Sequence, residues 1–333
     1  MILRAAAILV FIVNLVAPAV ALERVTVTTQ PLAANGALFL AATRGYFTAE
    51  GLDVDLRALT NPRAVVEAVA AGSSDFGLTD LTPAAFNLAG QGAIKLIAAQ
   101  VREKRDYEGN DVVASNAAYA HGLHKFADLA GRPIALRDVG SSFNYQLGQI
   151  ARAAGFDLAS ITLKSIYSYD DMARAVASGD VDAAIMPAQY ARELLVTSQA
   201  KLVGWCSQIG EPQLGALFTS SKTIGSDRAL VEKFVRAYAR GAADYAAALL
   251  RHDRYSKRVS DEVSAAAARA IAAYVYPGST AGIGLVEANA YDMDAHARID
   301  AADIARQVEW YKAQGLIDKD VDAQAIVDPS FVK

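Results

Sequence analysis

The segments Ala64–Asp80 (AVVEAVAAGSSDFGLTD) and Asp171–Pro187 (DMARAVASGDVDAAIMP) carry one pattern twice in a single chain. In register, Ala68-Val69-Ala70 meets Ala175-Val176-Ala177, Gly72 meets Gly179, and Asp75 meets Asp182. Each copy reads as an apolar-faced helix, a glycine able to end it in the left-handed conformation, and a short buried strand. A chain built on such a repeat forms two related α/β lobes. Ligands of open α/β sheets bind outside the carboxyl ends of the strands. The residues that close each strand, Thr79-Asp80 and Met186-Pro187, are therefore expected at two edges facing each other across a cleft.

Length agrees, since 333 residues exceed the roughly 250–300 at which single cores stop growing. Met1–Arg4 gives a positive start, Ala5–Val16 an apolar stretch and Ala19-Val20-Ala21 a small-x-small site, the pattern of a secretory signal peptide over residues 1–21. The apolar stretch is shorter than the ~20 residues a membrane span needs, and no cysteine follows the cleavage site to take a lipid. The mature chain is expected to be periplasmic. A net charge of −4 without any polybasic run excludes nucleic acid as a natural partner. Cys206 is the single cysteine, so no intramolecular disulfide or thiolate-built metal site forms.

Along the chain, strands are expected at Arg24–Thr29, Asp53–Leu59, Phe76–Leu78 and Ile94–Ala99, then at Pro133–Leu136, Ile161–Ile166 and Asp182–Met186. Arg102–Asn110 reads as a charged surface loop. Leu202–Trp205 and Leu214–Phe218 read as the return crossing. Beyond Ser226 the chain is Ala-rich and helical. The domain reading is residues 22–116 for the first lobe, 117–205 for the second, and 206–333 for a return segment whose helices pack on the first. Two chain crossings between lobes make a natural hinge.

The run Ala41-Ala42-Thr43-Arg44-Gly45-Tyr46-Phe47-Thr48-Ala49-Glu50-Gly51-Leu52-Asp53-Val54 resembles a signature of the periplasmic substrate-binding proteins of ABC importers. The branch is the one that takes nitrate, sulfonates, taurine and thiamine-precursor pyrimidines. Ala68–Gly77, Asp128–Ala135 (DLAGRPIA) and the ending Val327–Val332 are similar to further motifs of that family, in the same order. The resemblance implies a two-lobed periplasmic-binding-protein fold of type II, two α/β lobes around a ligand cleft with a helical C-terminal tail on the first lobe. It also implies a small-molecule solute as ligand, with a permease and an ATPase on separate chains as partners. A monomer without cofactor is expected.

Arg137-Asp138-Val139-Gly140-Ser141-Ser142 is the best anion site in the sequence, because a Gly and two Ser at a helix start present backbone N–H groups and hydroxyls. The same serines serve equally as a helix cap, and Arg137 serves either as counter-charge to a ligand or as partner to Asp138. Thr79 and Asp80 hold the mirror position in the first lobe, with Asp80 suited to an amine or N–H donor. Asn35 and Gly36 stand where the family contacts solute, though turn chemistry explains Gly36 as well. Met186, Gln189 and Tyr190 follow the second-lobe strand, with Met186 expected as pocket wall. Tyr107, Tyr145 and Trp205 are candidates to stack on a flat ring.

No histidine among His121, His124, His252 and His296 stands at a strand end to serve Ser141, Ser142 or Cys206 as base, so no catalytic residue or metal site is expected. The reading is a solute-binding protein that captures a small organic anion, such as a sulfonate, carboxylate or aromatic acid, by lobe closure and hands it to an importer. The alternatives are a binder of a pyrimidine-type thiamine precursor and a ligand-sensing subunit of a membrane receptor.

Overall fold

The computed structural model describes residues 21–105, 107–254 and 257–332, so the expected leader lies, but for Ala21, outside the described residues. The strands are β1 (Glu23–Thr29), β2 (Leu52–Ala58), β3 (Phe76–Asp80), β4 (Ile94–Ala99), β5 (Asn110–Ser115), β6 (Pro133–Leu136), β7 (Thr162–Ser165), β8 (Ala183–Pro187), β9 (Ala200–Trp205) and β10 (Gly215–Ser220). They make two five-stranded sheets in the orders β2-β1-β3-β10-β4 and β7-β6-β8-β5-β9. The orders match position for position, and the repeated segments end in β3 and β8, the middle strand of each sheet. Gly72 and Gly179 end the two repeat helices with φ of +74° and +82°, a conformation open to glycine at no steric cost. The paired aspartates also act alike. Asp75 Oδ2 accepts from Thr26 N–H at 2.8 Å, tying the turn to β1. Asp182 pairs with Arg132 at 3.0 Å, tying its turn to the chain just before β6.

Each sheet takes in one strand from a crossing. β5, leaving the first lobe, inserts antiparallel between β8 and β9, while β10, returning, inserts antiparallel between β3 and β4. β5 thus falls before residue 117, where the sequence reading starts the second lobe. The strand is buried on every residue, so NDVVAS shows no alternation to reveal it. Asn110 pairs with Pro187 and Gly215 with Asp80, so both crossings run along the carboxyl ends of the sheets.

One core lies between the first sheet and helices Gly36–Thr43, Arg228–Leu249 and Glu262–Val275, around Phe76, Phe234 and Tyr238. A second covers the opposite face with Pro62–Ala70, Pro83–Gly90 and Ala301–Ala313. The tail helices therefore pack on the first lobe. Asn61 and Thr82 cap their helices, accepting from Arg63 and Ala85 N–H. The second lobe has its own core around Ile134, Leu147, Met172 and Ile185. Among the described residues, no helix is long and apolar enough to cross a membrane.

Candidate ligand site between the lobes

The carboxyl ends of β3 and β8 face a cavity of about 30 Å³ walled by both lobes, room for roughly two waters. The first lobe contributes Leu32, Ala33, Asp80 and Gln100, with Tyr291 from the tail. The second contributes Asn110, Ser142, Phe143, Tyr169 and Gln189. The lobes are drawn together around it. Arg137 Nη2 donates to Thr60 O at 2.9 Å, Tyr291 Oη donates to Asn110 Oδ1 at 2.7 Å, and Tyr311 Oη reaches Gly140 O and Ser141 O at 3.0 and 3.1 Å. This is a closed arrangement, with the lobes in contact around a cavity too small for more than water.

Helix Ser142–Ala154 aims its N-terminus at the cavity. Gly140 N–H is taken by Asn144 Oδ1 at 3.0 Å and Ser141 N–H by Asp138 O at 3.2 Å. Ser142 and Phe143 line the cavity, and their N–H groups make no hydrogen bond among the described residues. Ser141 does not cap with its side chain; its hydroxyl donates to Asp138 O at 2.6 Å. The two serines therefore divide the work, Ser141 bracing the loop and Ser142 facing the cleft.

Arg137 is 9 % exposed, with its guanidinium 5.3 Å from the Tyr169 ring centroid. Burial opposes its charge, yet the Tyr169 hydroxyl and Asp80 hold its pKa above the ordinary arginine value. Asp80 is half-buried, and desolvation raises its carboxyl pKa, with Arg137 pulling the other way. The site thus holds one cation and one reluctant anion. Tyr169 stacks on Tyr190 (4.7 Å, 29°) and meets Phe143 edge-on. Three polar atoms here have no partner: Gln100 Oε1, Gln189 Oε1 and Arg137 Nε.

The remaining expected residues are placed around the site rather than on the cavity. Thr79 Oγ1 donates to Gln30 Oε1 at 2.8 Å, Asn35 Nδ2 donates to Gln30 O at 2.8 Å, and Gln100 Nε2 donates to Asn35 Oδ1. Asn35 and Thr79 thus build a buried polar floor that orients Gln100. Gly36 is small for packing: a Cβ there would lie 2.8 Å from Ile271 and Tyr245. Met186 is not a pocket wall; it points into the second-lobe core, and Pro187, next along the strand, lines the cavity. Tyr190 backs Tyr169. Tyr145 joins Trp310 and Tyr311 at the lobe junction, and Tyr107 meets His252. Sequence reasoning missed Tyr169, Tyr291, Gln100 and Asn110. The repeat itself held a signal for the first, because Tyr169 opens the second repeat helix as Pro62 opens the first.

Two α/β lobes clasping a polar cleft at their strand ends define the fold of the periplasmic binding proteins. The chain belongs to the NMT1/THI5-like family, whose pattern matches residues 34–248. In the solved structures it is similar to the periplasmic aliphatic sulphonate binding protein SsuA of Escherichia coli, at 15% identity and a TM-score of 0.71, covering 91% of this chain and 97% of that one. It is also similar to the alkanesulfonate-binding protein SsuA of Xanthomonas axonopodis pv. citri bound to MOPS, at 19% identity and a TM-score of 0.69, covering 92% and 98%. Among curated proteins it is 26% identical over 176 residues to 4-amino-5-hydroxymethyl-2-methylpyrimidine phosphate synthase of Schizosaccharomyces pombe (strain 972 / ATCC 24843). That match takes in 53% of this chain and 46% of the relative, so the chain matches about half the length of the curated relative.

Proposed function

We propose that this chain is a periplasmic solute-binding protein that captures a small organic anion by lobe closure and delivers it to an ABC importer. Its permease and ATPase would be separate chains, and residues 1–21 its export signal. The observation that supports this most is the set of unmet polar groups at the closed cleft: on the cavity, the Ser142 and Phe143 N–H groups and the amide oxygens of Gln100 and Gln189, and behind its Tyr169 wall, Arg137 Nε. A buried polar atom left without a partner costs about 1–3 kcal/mol. Closing on nothing is therefore penalised, and a solute that meets these groups favours the closed state. A sulfonate, carboxylate or aromatic acid suits the helix start and Arg137, with Tyr169 and Phe143 as apolar wall.

Asp80 favours a second reading. Its raised pKa and its place opposite Arg137 suit a ligand with N–H donors, as in a pyrimidine-type thiamine precursor, and the synthase likeness points the same way. A melting-shift screen of residues 22–333 against sulfonates, carboxylates, aromatic acids and pyrimidines separates the two. Solute at a hundred times its Kd should stabilise by about 2.7 kcal/mol. An anion hit weakened in Arg137→Gln and Ser142→Ala supports the first reading. A pyrimidine hit lost in Asp80→Asn supports the second, and no stabilisation by any class contradicts both.

A further inference from the structure

Away from the cavity, the hinge holds two carboxyl groups that the solute reading leaves unused. Glu103 lies in the crossing between β4 and β5 and is 1 % exposed; Asp111 lies in β5 and is 0 % exposed. The two crossings are joined there, with Glu103 N–H donating to Pro212 O at 3.0 Å and Leu214 N–H to Val101 O at 2.9 Å. Glu103 Oε1 accepts from Asn110 N–H at 3.0 Å and from Gln146 Nε2 at 2.8 Å, while Asn110 Nδ2 donates to Gln146 Oε1 at 3.0 Å. Asn110 in turn receives the Tyr291 hydroxyl. One hydrogen-bonded ring thus ties the hinge carboxyl to both lobes and to two cavity residues. Glu103 Oε2 has no partner, and the Asp111 carboxyl lies against that of Glu108, where one of the two must be protonated for them to hydrogen-bond.

We propose that Glu103 and Asp111 form a proton-operated clamp on the hinge: protonated, they permit closure, and their ionisation opens the lobes and lowers solute affinity. This rests on the reading of the cleft as a closing solute site. The groups around the pair give an ionised form little relief. Glu108 faces Asp111 from the same crossing, and its charge is met by Arg192 of helix Ala188–Val196. Cys206 faces both carboxyls from the second crossing, and Tyr291 from the tail. Arg192 is the facing cation, already shared with Glu108.

The titration follows the geometry. Burial is the main cause that pushes each carboxyl up to about 8, and Glu108 and Glu103 add to it for Asp111. In this proposal, opening admits water to the pair and returns the carboxyls toward about 4, the ordinary range. Closure therefore takes up protons between those values, and the closed-to-open ratio falls about tenfold per pH unit for each proton, levelling off above pH 8. As neighbours, the two groups titrate as a unit.

The test measures closure without any solute. Spin labels at Val196→Cys on the second lobe and Val263→Cys on the first (78 % and 54 % exposed) report their separation, and Cys206, 3 % exposed, stays unlabelled. Between pH 6 and 7.5 the closed-to-open ratio should fall by tenfold or more. The Glu103→Gln/Asp111→Asn variant, with its fold checked by circular dichroism, should stay closed and flat across that range. If the double variant does not fold, Asp111→Asn alone should lower the slope. A flat wild-type profile, or an unchanged slope in the variants, overturns the clamp. A flat profile leaves the solute reading standing, and a failed solute screen leaves this measurement readable.

Discussion

Gly148→Ala should loosen the closed cleft while leaving each lobe sound. Gly148 lies in the middle of second-lobe helix Ser142–Ala154, against Trp310 of the tail helix that packs on the first lobe. A Cβ there would sit 2.5, 2.6 and 2.7 Å from Cζ2, Nε1 and Cε2 of the indole. Tyr145 (5.3 Å, 81°) and Tyr311 (4.9 Å, 82°) meet the ring edge-on from two sides, so a shift of the half-exposed indole toward the neighbouring surface pocket gives up those contacts. Overpacking of this kind costs about 1–3 kcal/mol. Here the lobes can part to relieve it, so the cost falls on closure, and at 1.4 kcal/mol per factor of ten the closed-to-open ratio drops roughly 5- to 150-fold. Alanine also favours a helix interior over glycine by about 0.5–1 kcal/mol, so the melting temperature should hold or rise. The assay is the same pair of lobe labels, read beside a thermal melt. A lower melting temperature with unchanged closure would refute the reasoning, because Trp310 would then belong to the folded core and not to a separable lobe junction.

Gly36→Ala should behave oppositely, with stability falling by about 1–3 kcal/mol through contact with Ile271 and Tyr245; a folded variant that has lost solute binding would return Gly36 to the site. Tyr311→Phe leaves Gly140 O without its partner, while Ser141 O keeps the Asn144 and Tyr145 N–H groups, and should weaken closure by about 1–3 kcal/mol; an unchanged label separation would show that the contact persists in the open form. Stability should also fall as pH rises. Glu103 and Asp111 stand at about 8 in the fold and near 4 when unfolded, so the native state binds more protons throughout that window. Melts from pH 5 to 8 should descend, with a shallower slope in Glu103→Gln; an ascending series contradicts the assignment.

The repeat made the architecture readable because helix, glycine stop and buried strand recur with one spacing, and β3 and β8 do hold matching places in the two sheets. The inserted strands were harder. β10 follows a readable apolar run, whereas β5 hides behind a charged loop and is buried on both faces. The site divides along similar lines. That Ser142 stands at the cavity was legible because a helix start after a strand's carboxyl end faces the cleft. Met186 was misplaced because adjacent strand residues point to opposite sides, and the pattern AAIMP gives no phase. Tyr291 and Gln100 carry no local signal, since only the tail's return and the hinge bring them to the cavity. The role of Gly36 depends on Tyr245 and Ile271, residues far along the chain that no local motif connects to it.

Isothermal titration of residues 22–333 with the solute class that scores in the screen tests the central claim most directly. The account predicts one site per chain, a return to baseline after saturation, and weaker binding in both Ser142→Ala at the cavity and Gly148→Ala at the lobe junction. Binding untouched by either variant would place the solute outside the closing cleft. Heat that continues after saturation would mean turnover, and an enzyme in place of a binding protein.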